Sequence, residues 1–259
     1  IFVLPFRIIY KDREYRDKVE ITPKQVYDNM VNEIPTSSMP SMGDMESLFT
    51  KLENEGYTHV IAVTLSTGLS GVYNGLRLVS ENHKKINTYV YDSKSISMGE
   101  GIIILECAKL LSEGKNFDEL VKALPVIYSK MQLFFMIPTI EYLKKGGRIG
   151  RVAGTFAEML DIKPIITPAK DGKYITYAKV RGWKQALNKL ISIGNGILSK
   201  KKYKVCIMEG GALQDASKLY NAFVDNPNAV ECFFGGNISS VACVHTGPGL
   251  VGVVFYEAD

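Results

Sequence analysis

The chain has 259 residues, 46% hydrophobic and 22% charged, a composition that excludes global disorder and fibrous repeats. At roughly 150 residues per domain it is long enough for one large or two modest domains, whose cores need no disulfide or metal to fold. The net charge of +4 comes from 31 Lys and Arg against 27 Asp and Glu, scattered along the chain, so no nucleic-acid footprint is expected.

The longest apolar stretches, Ile1 to Phe6 and Ile102 to Leu105 with its neighbours, fall short of the roughly 20 residues that span a bilayer. The opening segment lacks a basic region and a small-residue cleavage site, so no signal peptide is expected. It also lacks an initiator Met, which fits a fragment or a trimmed chain. Cys107, Cys206, Cys232 and Cys243 each lie in an apolar run without C-x-x-C spacing, as expected of reduced, buried thiols in a cytoplasmic protein. His59, His83 and His245 are too dispersed to suggest a zinc site, and no metal is expected.

In chain order, Phe2 to Tyr10 reads as a strand, followed by a polar turn and a short return strand. Thr22-Pro23 opens a helix, with Thr as N-cap and Pro at its first position. Thr36 to Ser41 reads as a loop dense in hydroxyls, and Gly43 to Glu55 as a helix stopped by Gly56. His59 to Thr64 is a buried strand running into a Gly- and Ser-rich turn and a helix that ends near Val79. Thr88 to Tyr91 is a strand, Gly99 to Leu111 and Asp118 to Ser129 are helices, and Leu133 to Ile137 is a strand. Strands alternating with helices predict a mainly parallel, doubly wound sheet for this half, residues 1–137.

The second half, 138–259, reads as an α+β domain with a mixed or antiparallel sheet. Thr139 to Lys145 and Ala153 to Leu160 are short helices. Lys163 to Thr167 and Tyr174 to Lys179 flank Asp171-Gly172, a strong hairpin signal. Trp183 to Leu198 is a helix, Tyr203 to Met208 a strand, Leu213 to Val224 a helix and Ala229 to Phe234 a strand. Ser240 to His245 and Leu250 to Tyr256 read as two closing strands around Thr246-Gly247-Pro248-Gly249.

Four segments stand out chemically. The hydroxyls of Thr36 to Ser41 suit either an anion or a solvated loop capping the next helix. At Gly68-Leu69-Ser70-Gly71 a strand feeds a helix N-terminus, where free N–H groups and the helix dipole favour a carboxylate or phosphate. There Ser70 serves as N-cap alone or also touches a ligand, and Gly68 and Gly71 let backbone approach it. The same turn misses a nucleophile elbow only at Val72, and Ser70, Asp92 and His245 follow hydrolase chain order, which makes a serine hydrolase the enzymatic alternative. Lys144 to Arg151 sets four cations around a Gly turn, either for an acidic partner or as a helix C-terminus. His245 precedes a rigid Gly-Pro-Gly turn, either as a structural residue or as a group aimed into a cleft.

Together these segments resemble the DegV family of bacterial fatty-acid-binding proteins. The resemblance rests on Ser37-Ser38-Met39-Pro40-Ser41, Ser66 to Tyr73, Asp92-Ser93 with Ser97, Gly99 and Gly101, and Glu141 to Ile149. It continues through Ile162-Lys163-Pro164-Ile165, Lys179-Val180-Arg181 and His245 to Gly249. It implies two α/β domains with one long-chain fatty acid buried between them, the carboxylate held by Ser37, Ser70 and Gly71 and flanked by His245 and Arg148. It also implies a partner, the catalytic subunit of a fatty acid kinase, with Arg148, Arg151 and Arg181 at the mouth where that subunit docks. No cofactor other than the bound acid is implied, the protein itself is expected not to catalyse, and passing contact with a membrane belongs to the same picture. A carrier or sensor without a kinase is the alternative. Two departures are Ser37-Ser38 in place of Thr-Ser and Val72 in place of Thr. The family's first strand would precede Phe2, so part of the first sheet is expected to be missing.

Overall fold

The computed structural model describes residues 1–155 and 161–258, with side chains described outside 154–160. The elements are β1 (Arg7–Ile9), β2 (Glu14–Arg16), α1 (Pro23–Asn29), β3 (Thr36–Ser38), α2 (Met42–Asn54), β4 (His59–Thr64) and α3 (Val72–Ser80). There follow β5 (Asn87–Asp92), α4 (Met98–Ser112), α5 (Phe117–Ser129), β6 (Met131–Met136), α6 (Glu141–Lys145) and a 3-10 turn at Gly150–Thr155. The chain continues with β7 (Ile162–Pro168), β8 (Tyr174–Arg181), α7 (Trp183–Leu198), β9 (Tyr203–Gly210), α8 (Leu213–Phe223), β10 (Ala229–Asn237), α9 (Ser240–Thr246) and β11 (Leu250–Glu257).

These elements make a mixed α/β fold with three sheets: antiparallel β2-β1-β3, parallel β4-β5, and a six-stranded mixed sheet in the order β10-β9-β11-β6-β7-β8. Capping boxes fix three helix starts, through Thr22 with Gln25, Ser41 with Asp44, and Asn116 with Glu119. The expected helix over Ala153 to Leu160 falls largely outside the described residues.

Four expectations change. The first strand covers only Arg7–Ile9, because its partners β2 and β3 are three residues each and Pro5 has no N–H to extend the ladder. The hydroxyl-rich segment is partly an edge strand, with Ser37 opposite Ile8. The parallel sheet of the first half is confined to β4 and β5 among the described residues, since β6 pairs antiparallel with β11 and β7 instead. Its sequence explains why: Leu133 and Phe135 pack on one face, Phe134 and Met136 on the other, so β6 needs a sheet covered on both sides.

The fourth change matters most for function. Ser240 to His245, expected as a strand, is the helix α9. Ser239 caps it by accepting the Ala242 N–H at 3.3 Å. The Asp17 carboxylate accepts the N–H groups of Ser240 at 2.8 Å and Val241 at 3.2 Å. Two helix-start donors are thus satisfied by an anion, which suits the helix dipole. Gly247, at φ 67, ends the helix and leaves His245 in its last turn.

The core has three parts. One lies between the first half and the inner face of the six-stranded sheet, with Ile103, Leu124, Phe135, Met208 and Val254. A second fills the outer face of that sheet under α7 and α8, with Leu190, Ile207, Leu219 and Phe255. A third joins α2 and α3 to β4 and β5 through Met45, Phe49 and Leu76.

Candidate functional site

α9 packs against α6 and β3, and this brings His245 onto the hydroxyl-rich strand. His245 Nε2 lies 2.8 Å from Ser37 Oγ. The other ring nitrogen, Nδ1, is buried without a partner among the described residues and rests against the Cα of Gly146, where any side chain would collide with it. Burial, and then the nearby positive Arg148, push the imidazole down to about 4, so it is neutral at pH 7. A neutral ring carries one proton. On Nδ1 that proton would be an orphaned buried donor, whereas on Nε2 it meets Ser37. We therefore assign the Nε2–H tautomer. Ser37 Oγ then accepts from His245 and keeps its own proton to donate to a ligand.

Arg148 closes this corner. Its Nε donates to Leu69 O at 3.1 Å and its Nη1 to Gly146 O at 2.6 Å. The guanidinium thus links the turn after α6 to the turn before α3, and brings a fixed positive charge toward His245. In that second turn Ser70 Oγ accepts the Val72 N–H at 3.3 Å. The N-cap of α3 is Gly71, not Ser70, and it carries no side-chain cap, so apart from the Val72 N–H the backbone donors of this turn stay open.

Gly68 does something other than meet a ligand. A Cβ on it would stand 2.8 Å from the backbone of Gly172 and Lys173, so its hydrogen is what lets the hairpin between β7 and β8 seat on this turn. Ser66, buried and given no role of its own in the sequence, completes the joint. Its hydroxyl donates to Gly172 O at 2.9 Å and accepts the Gly68 N–H at 3.0 Å. The hydrolase arrangement does not form: His245 bonds Ser37, while Asp92 accepts from the Thr67 hydroxyl at 2.7 Å and the Lys94 N–H at 3.0 Å.

The remaining expected residues spread out. Arg151 makes a bidentate pair with Asp171 at 2.7 and 3.0 Å on the hairpin surface, which holds the Asp171 carboxyl down at about 2. Arg181 ends β8 on the surface, opposite Ile162. At about 3.3 Å per residue, a strand's length separates it from the hairpin turn.

Beside the polar corner lies a narrow apolar pocket lined by Met98, Phe135, Tyr174, Met208, Ala242 and Thr246, among others. α9 serves both places, with Ala242 and Thr246 on the cavity and His245 on Ser37. The combination is a greasy enclosure ending at neutral donors and one cation, which suits a long apolar chain with an anionic head.

The His245 geometry predicts a pH effect. The folded value of about 4 lies below the ordinary 6.5, so the unfolded chain takes up this proton first as pH falls. The stability held by neutral His245 is present above pH 6.5 and lost between 6.5 and 4, on the order of 2–3 kcal/mol. Urea midpoints at pH 7.5 and 4.5 should show this loss, and His245→Gln should flatten it.

Comparison with known proteins places these features in a family. The sequence profile described as an uncharacterised protein of the DegV family matches residues 1–258. Two DegV domain-containing proteins of Clostridium acetobutylicum are each 51% identical, over 99% of this chain and 92% and 91% of theirs. A fatty-acid-binding DegV family protein from Streptococcus agalactiae superposes with TM-score 0.90 at 27% identity, covering 100% of this chain and 92% of that one. A stearic-acid-binding protein from Eubacterium ventriosum does so with TM-score 0.83 at 26% identity, covering 98% and 90%. Among the described residues no helix is long and apolar enough to cross a membrane.

Proposed function

This chain belongs to the DegV family, and from that premise we propose that it binds one long-chain fatty acid and presents the carboxylate to a separate kinase subunit. The observation that carries the reading is α9, which borders the apolar cavity and holds His245 on Ser37. The relatives described as fatty-acid-binding support the same reading.

In this reading the acyl chain fills the cavity and Ser37, Ser70, the open N–H groups at Gly71, and Arg148 receive the carboxylate. Burial from water contributes about 0.8 kcal/mol per CH₂. An acid arriving from a membrane gains little of that, because it leaves one apolar phase for another. Head-group contacts and cavity shape therefore decide which acid is kept. Arg148 belongs with the carboxylate, while Arg151 and Arg181 are surface cations that a kinase subunit meets on docking, in the cytoplasm. The chain's role is to hold and offer; the phosphoryl transfer belongs to the partner.

Denaturing extraction and mass spectrometry of purified protein should find one long-chain acid per chain. With ATP and a fatty acid kinase catalytic subunit, the loaded protein should yield acyl phosphate. A protein that is empty and takes up neither oleate nor palmitate would overturn the binding role. Loading without acyl phosphate would overturn the kinase role alone and leave a carrier.

A further inference from the structure

We infer that the acid this cavity selects carries a hydroxyl close to its carboxylate, and that the Tyr174 hydroxyl is the group that recognises it. This rests on the fatty-acid reading of the cavity and adds the class of acid. Tyr174 lines the cavity, is 4% exposed, and packs its ring edge-on against Phe135 at 5.1 Å. Its hydroxyl makes no hydrogen bond among the described residues, in an enclosure whose other walls are largely apolar. Burial pushes the phenol up, so it remains a neutral donor.

A hydroxyl that faces the pocket without a protein partner becomes a free-energy cost when a plain alkyl chain fills the pocket and excludes water. A chain bearing its own hydroxyl removes that cost, because a hydroxyl both accepts and donates. Ser97 offers the second half of such an exchange. It lines the same cavity, and its hydroxyl neither caps α4 nor bonds elsewhere among the described residues. Its backbone is held at φ 55, a conformation rare outside glycine and one that collects at ligand sites.

The position of Tyr174 sets where the substituent falls. It begins β8, two residues after Gly172, which accepts from Ser66 beside the carboxylate turn. Gly150, two residues beyond Arg148, comes so close that a Cβ there would stand 2.8 Å from Tyr174 O. The strand therefore enters the cavity at its head-group end, which points to an oxygen on the first few carbons.

Competition binding of 3-hydroxypalmitate against palmitate on delipidated protein tests this. The parent protein should prefer the hydroxy acid about five- to tenfold, the size of one added neutral hydrogen bond. Tyr174→Phe should fold, lose the preference, and bind palmitate more tightly than the parent does, because the cost of the unpaired hydroxyl goes with it. 12-Hydroxystearate should gain nothing over stearate. Equal binding of 3-hydroxypalmitate and palmitate by the parent, or a preference that survives in Tyr174→Phe, overturns the inference while the fatty-acid reading stands. Failure to bind either acid overturns both.

Discussion

Gly68→Ala is expected to cost about 3 kcal/mol of stability and to empty the binding site with it. The added methyl would sit 2.8 Å from Gly172 C and Lys173 N, and 2.9 Å from Gly172 O. These are backbone atoms of a tight hairpin turn, so no side chain can swing aside. Relief must come from moving the hairpin off the turn, which breaks the bond from Ser66 to Gly172 and disturbs the Leu69 carbonyl that holds Arg148. Urea denaturation should show the lowered midpoint, and the variant should retain less extractable acid. Gly196→Ala gives the opposite sign. Gly196 lies exposed in α7 with no atom within 4 Å of a new Cβ, so Ala there should add about 0.5–1 kcal/mol through helix propensity. Equal midpoints for the parent and Gly68→Ala would show that the turn and hairpin are not a rigid joint.

What the sequence reveals of this fold is local, and what it hides is long-range. The start of α1 reads directly, because Thr22 and Pro23 signal it within two residues. The hairpin of β7 and β8 reads from Asp171-Gly172 for the same reason. α9 does not, because β-branched Val241 and Val244 favour a strand locally and the anion that holds the segment helical, Asp17, is 223 residues away. β6 reads correctly as a strand but not as to its sheet, since a run buried on both faces fits either half. The site divides in the same way. Ser37, Ser70 and His245 are legible by resemblance, yet nothing in their spacing shows that Ser37 and His245, 208 residues apart, meet. Ser66 falls in the motif that carries the resemblance, but its role does not show there, because it joins two backbone segments that meet only in the fold, and Tyr174 reads only as the start of a strand.

Ser37→Ala is expected to lower fatty-acid affinity by about tenfold to a hundredfold, the worth of one hydrogen bond to a charged group. The expectation follows from the direction of the chain of donors. His245 gives its only N–H proton to Ser37, which sits 2.8 Å away, and in the proposed site Ser37 would give its own to the carboxylate. Removing the hydroxyl removes the ligand's donor and leaves the buried Nε2–H without an acceptor, so the empty protein also loses about 1–3 kcal/mol. Ser37→Thr restores the hydroxyl on a residue well suited to an edge strand, and should recover most of the affinity. Because His245 acts on the ligand through Ser37, the two residues should not be additive. His245→Gln should weaken binding in the parent but change little in a Ser37→Ala background, as measured by titration with a fluorescent fatty acid at pH 7.5. If the two effects add, His245 touches the carboxylate itself. If Ser37→Ala binds like the parent while Ser70→Ala does not, the head group is held by the α3 turn alone, and the pairing of Ser37 with His245 serves only to dock α9 on β3.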